Sequence, residues 1–247
     1  MRKIWPLALG LVLVTTVQAQ SMEEILDGVP DDLARLLLED TGPGEPWFPA
    51  NMAEAAELAD LVALVQVEGA DNERVRDTVV RGKAKLDVLI GYKGARRGER
   101  IQVNDFGVRG FKCYYPDRVN EGNRYLVFLK KDHEYEPERR NEPPAYRGQY
   151  PSCALPVYVS DDSQYVVRYP IDGFDLPEAV QVREFTFRDP AARIYVDEIT
   201  LEQERRYRDE LGAVRRGMRL EFSRGALLYE LRPHIFPDGL PASDRGR

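Results

Sequence analysis

Histidine is scarce in this sequence, with only His133 and His234 among its 247 residues. A histidine-based metal centre would also need carboxylate ligands, and no spacing in the sequence places them. The sequence also lacks the G-x-S-x-G elbow, the P-loop, the G-x-G-x-x-G loop and the H-E-x-x-H helix. We therefore predict a protein that is not an enzyme and has no catalytic residues, no metal site and no cofactor.

Long hydrophobic runs are equally rare, and the one clear run lies at the N-terminus. Residues 2–3 are basic, Ile4–Val14 is mostly apolar, and Val17 and Ala19 occupy the small-residue positions that a signal peptidase reads. The run is too short for a bilayer core, which needs about 20 helical residues. The pattern predicts a signal peptide over residues 1–19, cut between Ala19 and Gln20. The mature protein would be exported to the periplasm or the extracellular space, with no membrane insertion after cleavage.

Cysteine occurs only twice, at Cys113 and Cys153. In an oxidising compartment the two thiols are expected to form a disulfide bond. The bond would close a loop of about 40 residues, which the chain-entropy model credits with roughly 4 kcal/mol of stabilisation. The alternative is a catalytic thiolate assisted by His133 or His234, which would need a reduced cysteine in a positive pocket.

Basic residues are outnumbered, because 35 Lys and Arg stand against 42 Asp and Glu and give a net charge of −7. Cleavage before Gln20 would remove two further positive charges, those of Arg2 and Lys3. An acidic protein is repelled by phosphate backbones unless its basic residues cluster on one face. The basic clusters here are only pairs, such as Arg215 with Arg216, and solvated faces explain them. We predict no nucleic-acid partner.

The spacing of the hydrophobic residues changes along the chain and divides it into segments. Residues 20–50 contain short helical patterns followed by a linker rich in glycine and proline. Asn51 and Glu54 stand at a capping-box spacing and predict a helix that runs to about Leu58. Alternation is clearest over Lys83–Tyr92, which is typical of a half-buried strand. The predicted strands cover residues 60–68, 83–92, 101–103, 111–115 and 125–129.

These strands carry a resemblance to a known family. The series ADLVALVQV, a long alternating strand ending in YKG, then IQV, Cys113 and GNRYLVFL resembles the netrin-like module of tissue inhibitors of metalloproteinases and its bacterial exported relatives. The resemblance covers roughly residues 53–160 and implies a closed five-stranded OB-type barrel, which we assign to residues 51–160. Such inhibitors chelate the protease zinc through an N-terminal cysteine. Because no cysteine precedes Cys113, the resemblance does not extend to that mechanism.

The region after the barrel strands is expected to be more irregular. Residues 134–152 are polar and proline-rich and predict a long loop, either a solvated insertion or a binding loop. Short apolar runs beginning at Leu155, Tyr165 and Val180 predict further strands, and we assign residues 161–199 to strands added to the barrel.

A helix and a tail complete the prediction. Thr200 with Gln203 is another capping-box spacing, and it predicts an amphipathic helix over residues 200–218. Its apolar stripe would consist of Tyr207, Leu211, Val214 and Met218. Residues 219–247 are expected to be a C-terminal tail. The predicted fold class is mainly β: an OB-type, netrin-like barrel with short N-terminal helices, additional C-terminal strands and a C-terminal amphipathic helix.

Three functions from different classes follow from these features, and we favour the first. It is a non-enzymatic protein-interaction module whose partner is another envelope or secreted protein. The second is a barrel that binds carbohydrate or a small ligand, with Tyr114 and Tyr146 in an exposed aromatic patch. The third is a hydrolase that uses two carboxylates, because such a pair can meet in a cleft without any fixed spacing in the sequence.

Overall fold

The computed structural model describes residues 49–75, 78–104, 120–133, 135, 142–148, 153–171 and 173–240. Its helices are α1 (Met52–Leu58), α2 (Leu201–Asp209) and α3 (Leu228–Ile235). The strands are β1 (Leu61–Val75), β2 (Thr78–Lys93), β3 (Arg100–Asn104), β4 (Arg124–Lys131), β5 (Ala145–Arg147), β6 (Ala154–Val159), β7 (Tyr165–Arg168), β8 (Arg183–Glu184), β9 (Arg193–Tyr195), β10 (Val214–Arg216), β11 (Arg219–Glu221) and β12 (Arg224–Leu227).

Five strands close into a barrel in the order β1-β2-β3-β5-β4, and β4 pairs back onto β1. The β3–β5 pair is parallel and the other four pairs are antiparallel. The predicted mainly β fold with a closed five-stranded barrel and additional strands is therefore confirmed. Nothing in the structure tests the netrin-like assignment, which stays a prediction.

The fifth barrel strand lies where the sequence predicted a loop. β5 is the three-residue strand Ala145–Arg147, inside the segment 134–152. It pairs with both β3 and β4 and so completes the closure. A strand of three residues is too short to show a period of two, so its partners rather than its own pattern define it. The strand predicted at 111–115 lies outside the described residues.

The long hairpin of β1 and β2 supplies much of the barrel core. Leu61–Val65 is completely buried, and in β2 the predicted alternation holds from Lys83 to Val88. A bulge then places Leu89 between the pairs Leu64↔Ile90 and Val65↔Val88. A bulge breaks the alternation of faces, and Ile90 is only partly buried as a result.

Helix α1 begins and ends as the sequence predicts. The Asn51 side chain accepts a hydrogen bond from the Glu54 N–H at 3.0 Å. At the other end, the Lys93 ammonium donates to the carbonyl oxygens of Ala56 and Glu57, both at 2.9 Å. Carbonyls at a helix C-terminus lack partners within the helix, so this lysine stabilises the end of α1 against the barrel. The helices predicted within residues 20–50 lie outside the described residues.

Beyond the barrel, the sheet continues from β4 through β6, β7, β12 and β8. A second hydrophobic cluster packs under this extension and joins residues of β6, β7, β11 and β12 to those of α2. Its buried members are Tyr158, Val166, Phe187, Ala192, Tyr207, Leu211, Ala213, Leu220, Phe222 and Leu227. The additional strands predicted for residues 161–199 are thus present, although β8 has only two residues.

The prediction of a helix over residues 200–218 is wrong in length. Its capping box is confirmed, because Thr200 and Gln203 exchange side-chain and backbone hydrogen bonds, but α2 ends at Asp209. Gly212 follows with a φ of 68°, a left-handed conformation that helix-terminating glycines adopt. Val214 then enters strand β10, and Met218 lies in the next turn. The predicted tail is also wrong over its first part, which forms β11, β12 and α3.

Candidate functional site

The three-stranded sheet of β9, β10 and β11 turns one of its faces outward. β11 lies in the centre and pairs antiparallel with both neighbours. Because successive side chains of a strand point to opposite faces, two cross-strand rows share one side. These rows are Val214–Glu221–Arg193 and Arg216–Arg219–Tyr195. We call this side, together with Met218 in the turn, the arginine face. On the other side, Leu220 is completely buried in the second cluster.

Three guanidinium groups of the arginine face surround one carboxylate. The Nε atoms of Arg219 and Arg216 lie 2.6 and 3.0 Å from the Glu221 oxygens, and Nε of Arg193 lies 4.0 Å away. Arg216 and Arg219 are also directly opposite each other, a like-charge pairing that destabilises a sheet. The group keeps an excess of two positive charges, although the whole chain carries −7.

Exposed apolar side chains accompany these arginines. Tyr195, Val214 and Met218 expose 52, 48 and 63% of their surfaces. The Val196 N–H donates to the Met218 carbonyl at 3.0 Å and so holds the hairpin turn against the end of β9. Tyrosine, methionine and arginine are enriched in protein–protein interfaces. The arginine face therefore has the composition of a docking surface.

Strand β9 also borders a cleft of about 260 Å³. The cleft forms where the turn before β4 and strands β4 and β6 meet residues 190–199 and helix α2. Its polar lining consists of Asn120, Glu121, Asn123, Arg124, Arg193 and Glu198. Tyrosines, prolines, isoleucines and Ala191 line the rest. The cleft thus offers both hydrogen-bonding groups and apolar surface.

Ring packing holds two tyrosines of this cleft in place. Tyr158 stacks on Phe222 with ring centroids 5.8 Å apart and meets Phe187 edge-on at 5.3 Å. Tyr207 meets Phe222 edge-on at 6.3 Å. Both tyrosines are buried. The second cluster fixes their positions, so this side of the cleft is preformed.

Of the two tyrosines predicted to bind ligand, Tyr146 is buried in the barrel with 7% of its surface exposed. Burial raises the pKa of its hydroxyl, and the carboxylates of Glu99 and Asp60 raise it further. A buried ring cannot form an exposed stacking surface, so the prediction is wrong for Tyr146. Tyr114 lies outside the described residues.

The other predicted site residues lie mostly outside the described chain. This applies to Cys113 and to both residues at the predicted signal cleavage, Ala19 and Gln20. Cys153 is completely buried, directly before β6, and is not a free thiol. A buried cysteine of this kind does not suit the alternative of a reactive thiolate. Its pairing with Cys113 stays a prediction.

Comparison with known proteins identifies no relative: no family model, no curated protein and no solved structure matches this chain. Within the described ranges, no group of three or more His, Cys, Asp or Glu side chains is placed to hold a metal ion. No helix in the described part of the chain is long and apolar enough to cross a membrane.

The arginine face was not predicted from the sequence. Residues 214–218 were assigned to a helix, which separated Arg216 from Arg219 and placed Val214 and Met218 on a buried stripe. One signal was available in the sequence, because Gly217 stands between two short segments. In the structure its φ is 63°. Glycine in a two-residue loop is typical of a tight β-hairpin.

Proposed function

We propose that this chain is an exported, non-enzymatic protein-interaction module, and that its arginine face docks an acidic segment of another envelope or secreted protein. The observation that carries the proposal is the cluster of three arginines around Glu221, flanked by exposed Tyr195 and Met218. Export rests on the predicted signal peptide, residues 1–19. The partner is expected to be acidic because its charge must complement this face.

Fold stability does not account for the arginine cluster. The side chains of Arg193, Arg216 and Arg219 are 39, 65 and 44% exposed in their pairs with Glu221. Exposed ion pairs contribute about 0–1 kcal/mol each, and the opposition of Arg216 and Arg219 offsets part of that. Glu221 forms close contacts with only two of the three guanidiniums, because Nε of Arg193 lies 4.0 Å away.

An acidic partner would supply the missing carboxylates. Arginine binds carboxylates through paired, charge-assisted hydrogen bonds, which add geometric specificity. Exposed Tyr195 and Met218 would add apolar contact area, and the tyrosine ring loses little conformational freedom when it is buried. A positive patch on a negative protein also steers an acidic partner toward this face and repels it elsewhere.

Site-specific photo-crosslinking in the producing cells tests this proposal. A photoreactive phenylalanine analogue replaces Tyr195 in one variant and Tyr229 in another. Tyr229 is a matched control, because it is an exposed tyrosine on α3 with 62% of its surface accessible. We expect the Tyr195 variant to crosslink one dominant exported protein through a segment rich in Asp and Glu, and the Tyr229 variant not to do so.

Charge reversal then tests the role of the arginines. The double substitution Arg216→Glu and Arg219→Glu should abolish the Tyr195 crosslink, whereas Arg205→Glu with Arg208→Glu on α2 should leave it unchanged. Higher salt should weaken the crosslink, because exposed charges are screened. Equal crosslinking from both tyrosine positions, or a crosslinked segment without acidic residues, would contradict the proposal.

A further inference from the structure

The cleft adjoins the arginine face and shares Arg193 with it, but the other lining groups of the cleft differ in chemistry. Its charged lining groups are two carboxylates, Glu121 and Glu198, and two guanidiniums, Arg124 and Arg193. Asp189, which binds Arg124 at 2.8 Å, adds a third carboxylate, so the positive charges at the cleft do not exceed the negative ones. A site without net positive charge does not favour a phosphate or another anion.

The lining groups suit hydroxyl groups instead. Carboxylates accept hydrogen bonds, guanidiniums donate them, and the amides of Asn120 and Asn123 do both. Such a set can satisfy the alternating donors and acceptors of a polyhydroxy ligand. Pro190 is exposed and Ile194 and Ile199 are half-buried, and these three side chains offer the apolar surface that the carbon-bound hydrogens of a sugar ring require.

The size and rigidity of the cleft restrict its ligand further. Pockets for drug-sized ligands measure roughly 300–1,000 Å³, and this cleft, at about 260 Å³, is just below that range. Its tyrosines are held by Phe222 and Phe187, so little order is lost when a ligand binds. From the lining, the lack of excess positive charge and the volume, we infer that the cleft binds a neutral saccharide of one or two rings.

Titration calorimetry and saturation-transfer NMR on the purified full chain test this inference. The probes are glucose, galactose, N-acetylglucosamine, maltose and cellobiose, with glucose 6-phosphate as the anionic comparison. We expect at least one neutral saccharide to bind with a dissociation constant on the order of 1 mM or tighter. Glucose 6-phosphate should bind no better than glucose.

Substitutions locate the binding in the cleft. Glu121→Ala and Glu198→Ala remove exposed lining groups, and each should weaken binding at least tenfold. Ala191→Trp fills the cleft and should abolish binding. Glu202→Ala is the control, because Glu202 is an exposed glutamate of α2 that does not line the cleft. Circular dichroism confirms that each variant is folded.

Three outcomes would overturn the inference. The first is that none of the five neutral saccharides binds. The second is that binding occurs but the cleft variants bind as well as the Glu202→Ala control. The third is tighter binding of glucose 6-phosphate than of glucose, which would make the cleft an anion site. None of these results affects the arginine face, whose test uses other residues and another measurement.

Discussion

Arg124 of β4 donates a hydrogen bond from Nη1 to Oδ2 of Asp189 at 2.8 Å, and the Asp189 side chain is only 3% exposed. The other Asp189 oxygen accepts the N–H of Ala191 at 3.1 Å and so caps the short 3-10 turn Pro190–Ala192. One carboxylate therefore joins a barrel strand to the turn that leads into β9. Through this pair, the barrel positions both the cleft and the arginine face.

We expect Asp189→Ala to be strongly destabilising. It leaves the guanidinium of Arg124 without its buried partner and removes the cap of the 3-10 turn. Breaking a buried ion pair costs about 3–5 kcal/mol, and we expect the lower end because the Arg124 side chain is 22% exposed. Urea denaturation measures the free energy of unfolding. Asp197→Ala, at an exposed aspartate of the same segment, should change it by less than about 0.5 kcal/mol. Similar losses in both variants would contradict the importance of the pair.

Gly225 of β12 allows the close approach of β7. A Cβ atom at this position would lie 2.3 Å from Cγ1 of Val166 and 2.5 Å from the carbonyl oxygen of Val167. Gly225→Ala must therefore displace backbone, and overpacking of this kind costs about 1–3 kcal/mol. Gly69→Ala is the matched control, because Gly69 also lies in a strand but no atom would come within 4 Å of the added Cβ. Denaturation midpoints of the two variants should differ clearly, with only Gly225→Ala lowered.

Because the hydroxyl of Tyr92 is buried, we expect the free energy of unfolding to fall in strong alkali. Burial raises the pKa of Tyr92 to about 12, above its ordinary value of 10.0. Below pH 10 the tyrosine is neutral in both states. Between pH 10 and 12 the unfolded chain loses this proton while the folded chain keeps it, so the free energy of unfolding falls, by an amount on the order of 2 kcal/mol.

Unfolding in urea at pH 9, 10 and 11 checks this dependence. Tyr92→Phe should show a shallower fall than the unchanged protein, because a phenylalanine has no proton to lose. Tyr229→Phe, at an exposed tyrosine, should follow the unchanged protein. Parallel curves for all three proteins would show that Tyr92 does not contribute to the alkaline loss.

The predicted disulfide bond between Cys113 and Cys153 can also be tested directly. Mass spectrometry of the mature protein, with and without reduction and alkylation, should show two thiols that react only after reduction and a chain that starts at Gln20. Reduction should lower the free energy of unfolding by up to roughly 4 kcal/mol, the value for a loop of this length. Two thiols that react in the unreduced, denatured protein would disprove the bond, and a chain still carrying residues 1–19 would disprove the signal cleavage.

Local patterns in the sequence predicted the features that depend on neighbouring residues. The caps at Asn51 and Thr200 need only a side chain and an N–H three residues later, and both are present. The alternation of β2 is equally local, because one face of the strand is buried and the other is solvated. The caps and the alternation required no knowledge of distant contacts. The closed barrel was predicted from the resemblance to the netrin-like module and not from these local patterns.

Features that depend on partners distant in the chain were not predicted. Strand β5 exists because β3 and β4 lie on either side of it, and its three residues carry no period of their own. The stripe from Tyr207 to Met218 fits a helix by spacing alone, but Gly212 and Gly217 direct the chain into a hairpin that pairs with β9. Tyr146 shows the same limit, because only the assembled barrel determines that its ring is buried.

The sequence by itself determined the acidic balance, the helix caps, the long barrel strands and the prediction of export, since each depends on composition or on residues close together in the chain. Only the tertiary structure determined which arginines form ion pairs with Glu221, which tyrosines line the cleft and which barrel strand binds Asp189. Those relationships join residues far apart in the chain, 65 positions in the Arg124–Asp189 pair. Chain folding brings such residues together, and no local period in the sequence encodes the distance between them.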